Sequence, residues 1–139
     1  MIISRNAWIV VADGSRASVY ENVGEIGEIS LKLLKAVDQK HEPGSHAGEG
    51  QHKSSTQEYR DPHAAAKHNF LHALVESLAH DAQASKFSEL VLIASPAALG
   101  DMRQKMPAAL EKKIVKQISK DYSHMAPNEL SKTLMHSTD

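Results

Sequence analysis

Cysteine is absent from the 139-residue chain, which removes disulfides, thiolate metal centres and cysteine nucleophiles at once. No stretch approaches the roughly 20 apolar residues that a membrane span requires. The first apolar run, Ala7 to Ala12, is too short for a signal-peptide core and no small-residue cleavage pattern follows it. The cytoplasm is therefore the expected compartment, and no membrane partner is expected. Neither sign of charge is in excess: a net charge of −1 supplies no global field toward nucleic acid. Familiar catalytic signatures are missing too. Ser15 sits in no G-x-S-x-G elbow, Gly24 and Gly27 form no phosphate loop, and there is no dinucleotide fingerprint. No cofactor is expected.

What is present is an ordinary globular composition, 41% hydrophobic and 24% charged, at a length that suits one domain over residues 1–139. Ala7 to Ala12 is a short, β-branched apolar run and reads as a strand covered on both faces. Asp13-Gly14 follows as a turn, with glycine expected to take the positive φ of a tight hairpin. Arg16 to Glu21 resumes as a second strand. After a turn marked by Gly24 and Gly27, Ile29 to Val37 alternates as a third. From Asp61 the period changes. Asp61 fits an N-cap, Pro62 the first helical position, and Phe70, Leu71, Leu74, Val75 and Leu78 repeat at 3.6 in a helix to about Ala84. Glu89 to Ala94 reads as a buried strand, Ser95-Pro96 and Met106-Pro107 as helix starts, Ile114 to Ser119 as the last strand, and Pro127 to about Leu134 as a terminal helix.

The order β-β-β-α-β-α-α-β-α predicts an α/β fold, a three-strand antiparallel meander followed by βα units with helices packed on the sheet. It resembles the ribonuclease H-like mixed sheet. Trp8 to Ala12 and Leu90 to Ala94, apolar on both faces, are expected as adjacent interior strands.

Between the third strand and the long helix lies Lys40 to Asp61, where only Ala47 and Tyr59 offer much apolar contact. Loops this long inside a domain are usually functional or disordered. This one carries Gly48-Glu49-Gly50-Gln51 with His46, His52 and Lys53 around it. A dispensable surface loop is the competing reading.

Three other candidates are weaker. A two-metal nuclease needs several converging carboxylates. Asp13 and Glu76 are available, but the central strand runs into Ala94-Ser95-Pro96 and Asp101 falls inside the next helix. His68 and His72 have the i, i+4 spacing of zinc-binding helices but no H-E-x-x-H motif, so a solvated helix face is expected, with no metal site. Arg103, Lys105, Lys112, Lys113, Lys116 and Lys120 cluster with only Glu111 among them, giving a local basic face or merely a solvated helix surface.

Specific blocks are familiar. Trp8 to Ala17 with Val19-Tyr20-Glu21 resembles the opening of the bacterial host attachment protein family. Asp61-Pro62-His63, Phe87, Leu90-Val91-Leu92, Pro96, Leu99-Gly100, Met102-Arg103 and Lys120 to Ser123 continue the likeness. That family is named for a proposed role in attachment to host cells. Its pattern is also similar to the ribonuclease H-like middle domain of archaeal and eukaryotic class-1 release factors. There a Gly-Gly-Gln loop enters the peptidyl transferase centre, and the glutamine backbone N–H helps position water for peptidyl-tRNA hydrolysis. The resemblance implies a ribosome or tRNA partner. It makes Gly50 and Gln51 the catalytic candidates and Lys53, Arg60, Arg103, Lys105, Lys112, Lys113, Lys116 and Lys120 the RNA-binding ones. Glu49 replaces the first glycine of the motif, and its carboxylate would meet phosphate repulsion, which weakens the case for hydrolysis. A non-catalytic interaction protein in host attachment is the alternative, and the sequence leaves the oligomeric state open.

A segment that buries little leaves its ordering entropy uncompensated. Residues 41–60 are thus expected to be the most mobile internal segment, cut first near Lys53 and Arg60 by limited proteolysis of dilute, metal-free protein. Strong amide-exchange protection from Gly44 to Ser55 would contradict this.

Overall fold

A computed structural model describes residues 1–40 and 61–137; the expectations for 41–60 fall outside the described residues. Five strands and four helices follow in order: β1 (Trp8–Ala12), β2 (Arg16–Asn22), β3 (Leu31–Asp38), α1 (Pro62–Gln83), β4 (Leu90–Ala94), α2 (Pro96–Lys105), α3 (Ala108–Glu111), β5 (Ile114–Ser119) and α4 (Pro127–Met135). The sheet order is β3-β2-β1-β4-β5, antiparallel from β3 to β1 and parallel from β1 to β5.

The two doubly apolar strands pair with each other, Trp8 opposite Leu90 through Ala12 opposite Ala94. All ten residues are buried. Alternation then divides the interior into two cores. Val10, Val19 and Leu92 face Phe70, Leu74 and Leu78 of α1 and Leu99 and Met102 of α2. Ile9, Val11, Val91 and Ile93 face Ile3, Ile29 and Leu130 and Leu134 of α4. Helices thus cover both faces, as strands apolar on both sides require.

The helix starts follow their capping residues. The Asp61 carboxylate accepts the His63 N–H at 3.0 Å, and Pro62 sits in the first turn of α1. Ser95 Oγ accepts the Ala98 N–H and launches α2 at Pro96. α1 ends where Ser85 takes a left-handed φ of 59°, and the Lys86 N–H reaches back to the Asp81 carbonyl at 3.0 Å. This is the ending usually given to glycine.

Two expectations are corrected. Gly14 does not supply a positive φ; among the described glycines only Gly27 does, at 84°. The β1–β2 turn is built instead by the Asp13 carboxylate, whose Oδ1 accepts from the Ser15 N–H at 2.8 Å, the Arg16 N–H at 2.9 Å and the Ser15 hydroxyl at 3.0 Å. Gly14 is needed for space, since a Cβ there would lie 2.6 Å from Cγ of Lys67. The third strand also begins at Leu31 rather than Ile29, because the Asn22 side chain takes the Ser30 N–H at 3.0 Å and Ile29 turns into the α4-side core. Its alternation is broken: Val19 pairs with Lys35 but Tyr20 with Leu33, so Leu34 is an extra, bulged residue. Leu31 therefore packs on the α4 side and Val37 on the α1 side, which the regular pattern would forbid.

The one buried carboxylate of the described residues, Asp81, ties α1 to β3 through Lys35 Nζ at 3.0 Å and also pairs with Lys86 Nζ, just past the helix, at 3.6 Å. Leu92, by contrast, has no exposure and belongs to the apolar core on the α1 side. Leu92→Asp is expected to abolish cooperative unfolding in circular dichroism. An unpaired buried carboxylate costs several kcal/mol against a total stability of roughly 5–15.

Candidate functional site

In open α/β sheets, ligands occupy the crevice at the carboxyl ends of neighbouring strands whose connections diverge. Here that point lies between β1, which turns to β2, and β4, which crosses over to β5. A cleft of about 360 Å³ sits there, lined by Asp13, Gly14, Ser15, Lys67, Leu71, Ser95, Ala97, Ala98 and Asp101. A somewhat larger one, about 460 Å³, lies at the amino ends of the same strands, between Arg5, Asn6 and Glu21 on one side and Lys86 and Glu89 on the other.

Each lining group is set by its element. Asp13 and Ser15 belong to the turn just described. Burial disfavours ionisation of Asp13, but the hydrogen bonds donated by Ser15, the Ser123 side chain and Arg16 outweigh it, so its carboxyl lies below the ordinary carboxylate value. Lys67 reaches the cleft with its stem laid over Gly14, and it makes no ion pair among the described residues. Gln39 fastens the end of β3 to this turn, its side-chain amide donating to the Gly14 carbonyl at 2.9 Å and its backbone N–H to the Ser15 carbonyl at 3.0 Å. The end of β3 thus lies beside the cleft, and the described chain resumes at Asp61, the N-cap of the helix that carries Lys67.

Asp101 forms the far wall. Behind it stand His68 and His72, their ring centroids 3.7 Å apart and tilted by 51°. His72 Nε2 lies 2.9 Å from the Asp101 carbonyl, and His68 Nδ1 lies 3.8 Å from the Asp101 carboxylate. A carbonyl only accepts, so His72 carries its proton on Nε2. Desolvation, with His68 and Lys105 adding to it, pushes the His72 pKa below its ordinary value. The pair is not the solvated face expected from the sequence. Its two rings are sandwiched between α1 and α2, with the His68 side chain only 13% exposed. Among the described residues, no three His, Asp or Glu side chains are grouped to hold a metal ion.

The basic candidates divide. Arg103 is spent on Gln117, whose Oε1 accepts from Nε at 3.0 Å and Nη2 at 2.7 Å. Lys105 pairs with Glu76 at 3.6 Å. Lys113 donates to the Phe87 carbonyl at 3.3 Å with its ammonium 6.0 Å from the Phe87 ring centroid. Lys112, Lys116 and Lys120 have no carboxylate partner among the described residues. Lys112 caps the end of α3, Lys116 lies within β5, an edge strand paired only with β4, and Lys120 follows its last residue. Lys116 pairs with Val91 and Gln117 with Leu92, so Lys116 and the Arg103–Gln117 contact stand on opposite faces of the sheet. Gly50, Gln51, Lys53 and Arg60 lie outside the described residues.

Lys67, Ser95 and the His–Asp101 contact escaped the sequence reading. One usable signal was there: two buried strands both end in Ala followed by a capping residue, Ala12-Asp13 and Ala94-Ser95, which marks a shared crevice once the strands are known to be adjacent.

Residues 8–134 match the family described as "Protein required for attachment to host cells". The chain belongs to that family. The match runs from the first residue of β1 into the last turn of α4, so the family unit takes in the whole sheet and the cleft. No curated protein matches the chain. No helix of the described residues in this host attachment family member is long and apolar enough to cross a membrane.

A depressed carboxyl pKa stabilises the fold above the unfolded value, and that contribution is lost as pH falls through the folded one. Asp13→Asn, which cannot ionise, is expected to flatten the acid limb of the stability–pH curve below about pH 4, read by urea titration, while β1–β2 stays paired. An unchanged acid limb would mean the turn draws nothing from the charge.

Proposed function

We propose that this protein associates with the ribosome or tRNA in the cytoplasm, in rescue or quality control, docking through the lysines along β5 and presenting Gly50-Gln51 as its probe. One observation carries the reading: three ammonium groups without a carboxylate partner among the described residues, Lys116 within the edge strand β5 and Lys112 and Lys120 just outside its two ends. The order β3-β2-β1-β4-β5 supports the ribonuclease H-like reading, and with it the likeness to the release-factor middle domain, whose probe loop likewise precedes the long helix. Glu49 beside Gly50 opposes close approach to RNA at the probe, so association without efficient peptidyl-tRNA hydrolysis is the expected behaviour.

The family description favours a second reading, a non-catalytic part in attachment to host cells. The two separate on salt. Phosphate contacts release condensed counterions, so cosedimentation with ribosomes or retention of tRNA should fall steeply between low and high salt. Lys112→Glu with Lys116→Glu should weaken binding across all RNA sequences and flatten the salt slope by about one per lost phosphate contact. Gln51→Ala should leave affinity nearly unchanged. Wild-type protein without salt-sensitive association would overturn the proposal and leave the attachment reading.

A further inference from the structure

We propose that the cleft between β1 and β4 binds a small anionic polyol, a sugar phosphate or a sugar acid, with Lys67 and Ser95 meeting its anionic group and the Asp101 carboxylate its hydroxyls. The site goes beyond the RNA reading and does not depend on the β5 edge.

Uncommitted charge singles out this cleft. In the larger cavity at the amino ends of the strands, Arg5 is engaged by Glu25 at 3.2 Å and Lys86 by Asp81 at 3.6 Å. Lys67 has no such partner among the described residues, so its ammonium keeps three donors for a ligand. Its stem is held as well. Cβ, Cγ and Cδ of Lys67 lie across Gly14, within 3.0 Å of where a Cβ on that residue would stand. A stem already fixed has less rotamer entropy left to lose on binding. The second donor is the Ser95 hydroxyl, whose oxygen accepts the Ala98 N–H at 3.3 Å and whose own proton can be given to a ligand. The backbone of α2 adds little, because Pro96 has no N–H and those of Ala98 and Leu99 are both taken by Ser95. Side chains, not the helix end, meet the anion.

The carboxylates decide what else the ligand carries. Asp13 and Asp101 both line the cleft and repel a bare anion, whereas hydroxyl groups can donate to a carboxylate. Asp101 has lone pairs to accept them, since His68 Nδ1 approaches its Oδ1 only at 3.8 Å, beyond hydrogen-bond reach. The apolar lining among the described residues is Leu71, Ala97 and Ala98, with no aromatic ring on which a base could stack. A volume of about 360 Å³ suits a compact ligand.

Amide chemical shifts of the full-length protein locate and rank the binding. D-ribose 5-phosphate and D-gluconate separate a phosphate ester from a carboxylate, and inorganic phosphate and D-ribose present the two halves alone. At least one of the first two should shift the amides of Gly14, Ser15, Lys67 and Ala97, and each half should bind about tenfold more weakly. Lys67→Met should weaken binding about tenfold. Gly14→Ala keeps the ammonium but displaces its stem, and should weaken binding several-fold. Asp101→Asn removes the repulsion, so inorganic phosphate should gain on ribose 5-phosphate. Unshifted cleft amides with all four compounds would overturn the proposal. So would either half binding as tightly as the whole, or unchanged binding in Lys67→Met.

Discussion

The parallel pairing of β1 with β4 is the constraint on which the rest of the molecule depends. Its two strands lie about 80 positions apart in the chain, so closing it carries a large loop-entropy cost, although that cost grows only slowly with length. Ten residues buried on both faces offset it. Once Trp8 stands opposite Leu90, every other element has one place to go. Even positions of β1 must be covered by α1 and α2 and odd positions by α4, and the meander can extend only from the free edge of β1. A slip of one residue would send Val10 and Leu92 to the α4 side and expose both cores to mismatch. The same register sets Ala12 beside Ala94. Two small residues at the ends of adjacent strands leave room for the cleft, where longer side chains would fill it.

Much of this frame was legible because its signals are local and redundant. Asp61-Pro62 and Ser95-Pro96 start helices where the carboxylate and hydroxyl would be expected to cap them, and the 3.6 repeat from Phe70 to Leu78 names the face that α1 buries. The strand order followed from two runs with no polar face. What was not legible depended on contacts between distant segments. Nothing in Leu31 to Val37 announces that Leu34 is an extra residue, because a bulge is fixed by the partner strand. Gly14 looked like a turn glycine and is instead a space left for Lys67, 53 residues later. His68 and His72 read as a polar helix face, since the sequence cannot say that α2 will bring Asp101 over them.

Both edges of the sheet are blunted in the same way. β3 has its bulge at Leu34, and β5 has another at Val115, where Leu90 pairs with Ile114 but Val91 with Lys116. Bulges and lysines on edge strands hinder the addition of further strands. On β5 the bulge at Val115 sits beside Lys116, with Lys112 and Lys120 just beyond the strand's two ends, so the edge is poorly suited to pairing with another strand.

The cleft and the edge lie on different parts of one mechanical unit. α2 forms a wall of the cleft through Ala97, Ala98 and Asp101, and its far end is fastened to β5 by Arg103 on Gln117. Any displacement of α2 must therefore either break that two-pronged contact or pull on β5 at the position next to Lys116. A contact in which a guanidinium gives two of its N–H donors to one amide oxygen is short and directional, yet here exposed to water, so it costs little to break. The histidine contact at the other side of α2 is the less solvated of the two and holds the helix more firmly.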